Sequence, residues 1–171
     1  MSRAHTGAEQ TAGFRFKHPR GVIHGWFSSE GLYSLELPPA ESHMLHDKVL
    51  YSSTNDGRVQ KLHAALERYF AGQPESFEGI PLDFGKCTTF RYRVWTALRE
   101  IPWGHTAAYG ELSKRLGYGT RASRAVGQAL HHNPLPIVVP CHRILAHNGL
   151  GGFGAGLDWK RELLGLEGVD V

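Results

Sequence analysis

Residues 133–145 read NPLPIVVPCHRIL, an apolar run set between prolines that delivers a thiol, an imidazole and a guanidinium side by side. The β-branched stretch Ile137-Val138-Val139 predicts a buried strand leading to Pro140. An unperturbed cysteine has a pKa of about 8.5, so Cys141 needs a neighbouring base or positive charge to become an effective nucleophile. His142 and Arg143 can each supply one. Neighbours in an extended strand point to opposite faces, so Cys141 and His142 can cooperate only if the chain turns there or a water bridges them, and Pro140 favours a turn. Taken alone, the pair also suits a strand-end cysteine beside a surface histidine.

Upstream of this segment the pattern is helical from Thr89, which reads as an N-cap, with Phe90, Val94, Ala97, Leu98 and Ile101 recurring on one face until Pro102. Two short helices are predicted next, about 107–116 and 121–131, joined by Gly117-Tyr118-Gly119, with Thr106 and Thr120 as caps. This is the outline of a helix-turn-helix. Arg121, Arg124 and Gln128 share a face of the second helix, where a recognition helix would meet DNA. An ordinary helical hairpin with a solvated face has the same pattern.

Further back, GVIHGWF (21–27) and GLYSLEL (31–37) read as a hairpin around Ser28-Ser29-Glu30, with KVLYSS (48–53) as a third strand. Val59, Leu62, Leu66, Tyr69 and Phe70 define a helix stopped by Gly72 and Pro74, and IPLDF (80–84) reads as a last short strand. The fold class is therefore α+β. A small mixed sheet and helix domain is expected over residues 1–85, with 1–13 frayed, and a mainly helical domain over 86–171.

The chain has 171 residues, 41% apolar, with 19 Lys and Arg against 16 Asp and Glu for a net charge of +3. That balance suits a globular protein with a polyanionic partner. No apolar run long enough to span a membrane and no secretory leader is evident, which points to the cytoplasm and nucleoid, or to the nucleus in a eukaryote. Cys87 and Cys141, the two cysteines, lack the spacing of a disulfide framework or zinc knuckle and read as free thiols. Gly149, Gly151 and Gly154 formally satisfy GxGxxG, but no strand with an acidic residue about 20 positions on follows, so the dinucleotide reading is rejected. His131, His132, His142 and His147 form no recognisable ligand set, so no metal is expected.

The string RAVGQALHHNPLPIVVPCHRILAHNGLGGFGAGLDWKRELLGLEG (124–168) resembles the active-site domain of the O6-alkylguanine-DNA alkyltransferases. It carries the PCHR core, the preceding RAVG and NP elements and the closing LEG segment in order. The resemblance is strong over 86–168 and looser over 21–85. It implies a ribonuclease H-like N-terminal domain and a winged-helix-like C-terminal one. It also implies single-use transfer of an alkyl group from O6-alkylguanine, and from O4-alkylthymine as a further substrate, onto Cys141 without a cofactor.

By the same resemblance His142 is the base that deprotonates Cys141 through a water, Glu167 orients His142, and Asn133 is the hinge asparagine. Arg124 is the finger that fills the stack when the base flips out, and Tyr109 assists flipping and protonates the departing guanine. Arg121, Ala122, Ser123, Ala125, Gly127 and Gln128 face the minor groove of double-stranded DNA, whose degenerate code suits a search for lesions in any sequence. Phe153 and the Gly154 amide, where many members carry tyrosine and serine or glycine, form the pocket lid. The carbonyls of Cys141 and Ile144 read the exocyclic amine, and Lys160 lies near the site. Small residues at Gly154 and Ala155 imply a pocket that admits groups larger than methyl. A monomer that binds DNA, with or without cooperativity, is implied. Three rivals are a non-catalytic alkyltransferase-like lesion binder, which would lack the cysteine, a helix-turn-helix regulator, and a cysteine hydrolase, for which no oxyanion-hole motif is evident.

Overall fold

The computed structural model describes residues 12–38 and 56–171. Its first element is one that the sequence reading passed over. Strand β1, Ala12–His18, buries Ala12, Phe14 and Phe16 while Arg15 and Lys17 face outward, the alternation of a half-buried strand. Ala12 and Gly13, read as frayed, instead pair with Phe27 and Trp26. Strands β2, Gly21–Phe27, and β3, Leu32–Glu36, complete an antiparallel sheet in the order β1-β2-β3.

The hairpin between β2 and β3 closes at Ser28, whose amide donates to the Gly31 carbonyl at 2.9 Å. Gly31 is required there by close approach, since a Cβ at this position would sit 2.5 Å from the Pro81 carbonyl oxygen. That contact explains the fate of IPLDF. Leu32 donates to Pro81, Asp83 donates to Leu32, and a single parallel bridge joins Leu32 to Leu82, so the segment is a staple on the hairpin and no independent strand. The KVLYSS candidate lies outside the described residues.

Helix α1, Gly57–Phe70, is capped by Asp56, which accepts from the Arg58 amide, and buries Leu62, Ala65, Leu66 and Tyr69. Helix α2, Thr89–Arg99, starts one residue earlier than predicted. Thr88 is its cap, accepting from the Arg91 amide through its hydroxyl, because only a residue still in extended conformation can turn its side chain back onto the helix.

The first of the next two helices is shorter than expected. Residues Ala107–Ala108 form a two-residue strand, β4, and α3 runs over Tyr109–Arg115. Its cap is Ala108 rather than Thr106, with the Glu111 carboxylate accepting from the Ala108 amide. A 3-10 turn at Thr120–Ala122 precedes α4, Ser123–His131, so Thr120 opens that turn without capping α4. Strand β5, Ile144–Leu145, pairs in parallel with β4, and helix α5 covers Leu157–Leu166.

Ile137-Val138-Val139 is buried but is not a strand. The Val139 amide donates to the Leu135 carbonyl at 2.8 Å, and Ile137 has a φ of 74°, so the chain folds into a turn. Pro134, Pro136 and Pro140 remove the amide donors that a sheet ladder would use. The turn is held from both sides: the Leu35 amide of β3 donates to the Pro134 carbonyl, and the Asn133 side chain spans it from within.

One apolar core runs through both halves, from Phe14, Phe27 and Leu66 to Val94, Leu135, Ile144 and Trp159. The sheet is also tied to α5. Trp159 donates to the Pro38 carbonyl at 2.7 Å, His18 lies against the Trp159 ring, and Arg20 and His18 both pair with Glu162. These ties fix the helix whose C-terminus carries Glu167.

Candidate active site

Immediately after the proline-rich turn the backbone tightens into a 3-10 turn over Cys141–Arg143, with the Arg143 amide donating to the Pro140 carbonyl. The turn anticipated at Pro140 is therefore present, and it sends three consecutive side chains into the interior. Cys141, His142 and Arg143 are all buried. The Cys141 thiol lies 3.1 Å from Nδ2 of Asn133, which also donates to the Val139 carbonyl at 2.8 Å, while Asn133 Oδ1 accepts from the Leu135 amide. Asn133 thus ties the end of α4 to the cysteine turn through all of its polar atoms.

His142 Nε2 lies 2.8 Å from Oε1 of Glu167, just beyond α5. A carboxylate can only accept, so Nε2 carries the proton and Nδ1 is the acceptor. Among the described residues Nδ1 has no hydrogen-bond partner, although it is buried. Glu167 is gripped elsewhere as well: Arg143 donates to both of its oxygens, at 2.8 and 2.9 Å, and the Tyr69 hydroxyl donates to Oε1 at 2.8 Å. The remaining guanidinium nitrogen of Arg143 reaches the Ile101 carbonyl.

The electrostatics follow from burial and pairing. Burial pushes the Cys141 thiol up, against the Asn133 amide, the Lys160 charge and the backbone amides of Cys141 and His142, so the resting thiol keeps its proton and needs a base. Burial likewise pulls His142 down from 6.5, opposed by its bond to Glu167, which keeps the imidazole neutral and able to accept. Glu167, despite burial, is lowered to about 2 by its hydrogen bonds to His142 and Arg143 and by the Arg143 charge. It is a fixed carboxylate that will not take the imidazole proton for itself.

Lys160 reaches from α5 to the Ile144 carbonyl at 2.6 Å and the Gly152 carbonyl at 3.2 Å, and burial lowers it to about 8. The Ile144 carbonyl, expected to read a base, therefore already accepts from an ammonium. Tyr109, on the first turn of α3, is half-buried between two glycines: a Cβ on Gly127 would lie 3.6 Å from its ring, and one on Gly151 would lie 3.0 Å from its hydroxyl. Burial pushes that hydroxyl up, and Cys141 acts in the same direction, while the Gly152 backbone opposes them. Gly127 accordingly serves Tyr109 as much as any external surface.

Phe153 is half-buried with its ring edge-on to His142, 6.4 Å between centroids, while Gly154 is exposed. Arg121, Arg124, Ala125 and Gln128 are exposed along the 3-10 turn and α4, and Ala122 and Ser123 are half-exposed. The Ser123 hydroxyl donates to the Thr120 carbonyl. Among the described residues no three His, Cys, Asp or Glu side chains come together as a metal site, and no helix is long and apolar enough to cross a membrane. Tyr69 was read from the sequence as core only. The available signal was chemical: a tyrosine on a buried helix face carries a hydroxyl that must find a partner.

Residues 89–169 match the family model of the 6-O-methylguanine DNA methyltransferase DNA binding domain, and residues 28–84 match that of its ribonuclease-like domain. The chain belongs to the 6-O-methylguanine DNA methyltransferase family. It is similar to a methylated-DNA–protein-cysteine methyltransferase of Methanosarcina acetivorans, 51% identical over 67% of this chain and 72% of that protein. The one from Saccharolobus islandicus is 38% identical over 91% of this chain and 95% of its own. Among solved structures it resembles Mycobacterium tuberculosis OGT in complex with DNA, with a TM-score of 0.74 at 36% identity over 92% of each chain. An O6-methylguanine DNA methyltransferase from Methanococcus jannaschii gives a TM-score of 0.68 at 29% identity over 92% of this chain and 94% of that one. The mixed α+β architecture of this family member agrees with those structures.

Proposed function

We propose that this family member performs direct-reversal DNA repair, with Cys141 receiving the alkyl group from O6-alkylguanine in double-stranded DNA, and O4-alkylthymine as a secondary substrate. The observation that carries the reading is a buried thiol followed, in the same 3-10 turn, by an imidazole whose Nε2 is committed to a buried carboxylate and whose Nδ1 has no hydrogen-bond partner among the described residues. His142 Nδ1 takes the thiol proton, directly or through one water. The sulfur attacks the alkyl carbon in line, the C–S bond forms as the C–O6 bond breaks, and the electron pair leaves on the guanine oxygen. Tyr109 donates a proton toward the departing base. The thioether has no leaving group to release it, so each chain acts once.

A base inside a duplex cannot be reached in line, so the lesion is rotated out of the stack. Arg124 fills the vacated space from the exposed face of α4, with Arg121, Ala122, Ser123, Ala125, Gly127 and Gln128 along the minor groove. Phe153, the Gly154 amide and the carbonyls of Cys141 and Ile144 enclose the flipped base. Lys160 holds the Ile144 and Gly152 carbonyls and so shapes the pocket floor and lid together. We assign residues 86–171 as a DNA-binding and acceptor domain of winged-helix type and residues 1–85 as a ribonuclease H-like support. The protein acts as a monomer on DNA, in the cytoplasm and nucleoid or in a nucleus.

The test is transfer from a duplex carrying one labelled O6-methylguanine. Wild type should restore guanine up to one equivalent per chain and then stop, while Cys141→Ser should leave the lesion in place. Continued turnover, or repair by the serine variant, would overturn the assignment.

A further inference from the structure

The relay described above draws on a residue from the opposite half of the molecule. Tyr69 lies on the last turn of α1, fully buried among Phe70, Phe77 and Trp103. Its hydroxyl donates to Glu167 Oε1 at 2.8 Å and stands 3.4 Å from His142 Nε2. The oxygen that holds the imidazole thus also holds the tyrosine, and it accepts in addition from Arg143 Nη2, while Arg143 Nε donates to the other carboxylate oxygen.

We propose that Tyr69 is a positioning residue of the alkyl-transfer relay, using its hydroxyl to fix Glu167 Oε1 against His142 and to draw off part of the negative charge the imidazole feels. This rests on the assignment of Cys141, His142 and Glu167 made above. The ring alone would fill the same space as phenylalanine. The hydroxyl matters because a buried carboxylate that loses a donor becomes a stronger acceptor toward those that remain.

The charged groups facing His142 are Glu167, Arg143 and Lys160, and Tyr69 is the neutral donor that moderates the first of them. Without its hydroxyl, Glu167 presses its full charge on His142, the imidazolium is favoured, and the base is lost at a higher pH. Loss of one charge-assisted hydrogen bond also loosens the geometry, for which about a tenfold fall in rate is a fair scale.

The experiment is single-turnover transfer by Tyr69→Phe across pH 5–9, with DNA affinity and melting temperature measured in parallel. The expected result is a rate constant about tenfold lower at neutral pH, an acid limb displaced upward, and unchanged affinity for lesion DNA. In the Glu167→Gln background the same substitution should do little, because the shared acceptor charge is gone. Phe77→Leu, which disturbs the packing around the Tyr69 ring and leaves the hydroxyl, should not move the limb. If Tyr69→Phe does not fold, 3-fluorotyrosine at position 69, a stronger donor, should displace the limb downward in folded protein. An active wild type with an unmoved limb in Tyr69→Phe and in the 3-fluorotyrosine protein overturns the role of Tyr69 alone. A wild type that transfers nothing to Cys141 overturns the relay as a whole.

Discussion

Nε2 of His142 and Oε1 of Glu167 stand 2.8 Å apart, with both side chains wholly shielded from solvent. The pair is therefore strong and fixed in one orientation, and it leaves Nδ1 as the imidazole's only basic site. Arg143 neutralises the carboxylate through both of its oxygens, so the cluster is a buried ion pair that carries a neutral imidazole and not an isolated histidine–carboxylate contact.

Removing the carboxylate should consequently harm both fold and chemistry. Glu167→Ala strands Arg143 without its partner, and breaking a buried pair in this way costs about 3–5 kcal/mol. Denaturant unfolding should show that loss. Glu167→Gln, which keeps the shape, should lose less stability while slowing single-turnover transfer by roughly a hundredfold through the misdirected base.

Stability should fall in acid by two steps. His142 is held below 6.5 in the folded state and Glu167 at about 2, so in each case the unfolded chain binds more protons over the interval between its own value and the folded one. Stability conferred by the neutral imidazole is present above 6.5 and drains away below it. That of the carboxylate is present above its unfolded value of 4.5 and is lost as pH falls toward 2. Urea titrations from pH 8 to 3 should show the slope, and Glu167→Gln should flatten its lower part.

Gly151→Ala should injure the site from the lid. The added methyl would lie 3.0 Å from the Tyr109 hydroxyl and 3.3 Å from the Ala146 amide, at a φ of 71° that alanine resists. A destabilisation of about 1–3 kcal/mol is expected. Transfer should slow as Tyr109 is displaced, whereas Gly152→Ala, with open space around it, should be far milder. Thermal melts and transfer rates of the two variants make the comparison.

Arg124→Ala separates flipping from chemistry. The side chain is exposed on α4, so stability should change by less than about 0.5 kcal/mol. Repair of a lesion within duplex DNA should drop steeply, while reaction with free O6-methylguanine base, which needs no flipping, should be unaffected. Equal losses on both substrates would place Arg124 in the chemical step instead.

The parts of this structure legible in the sequence are those fixed by local chemistry. Periodicity found α1 and most of α2, Ser28 to Gly31 marked the hairpin, and Pro140 signalled the turn that aims Cys141 inward. The failures are equally physical. Ile137-Val138-Val139 has the composition of a strand, yet three prolines and the reach of Asn133 to the Val139 carbonyl hold it as a turn. β1 hid behind a polar leader although Phe14 and Phe16 alternate with Arg15 and Lys17. Tyr69 lies 73 positions from His142 and 98 from Glu167, and no local pattern carries a contact of that span. The resemblance to the alkyltransferases supplied Glu167 and Asn133 because those residues stand in recognisable motifs, and it said nothing of the helix face that completes the relay.

The most direct test of the central claim is intact-protein mass spectrometry after incubation with a duplex containing O6-methylguanine, followed by peptide mapping. The account predicts one added methyl per chain, saturating at one equivalent, located on Cys141 and missing from Cys141→Ala. An unmodified wild-type protein that still bound the lesion, or a methyl found on Cys87, would contradict it.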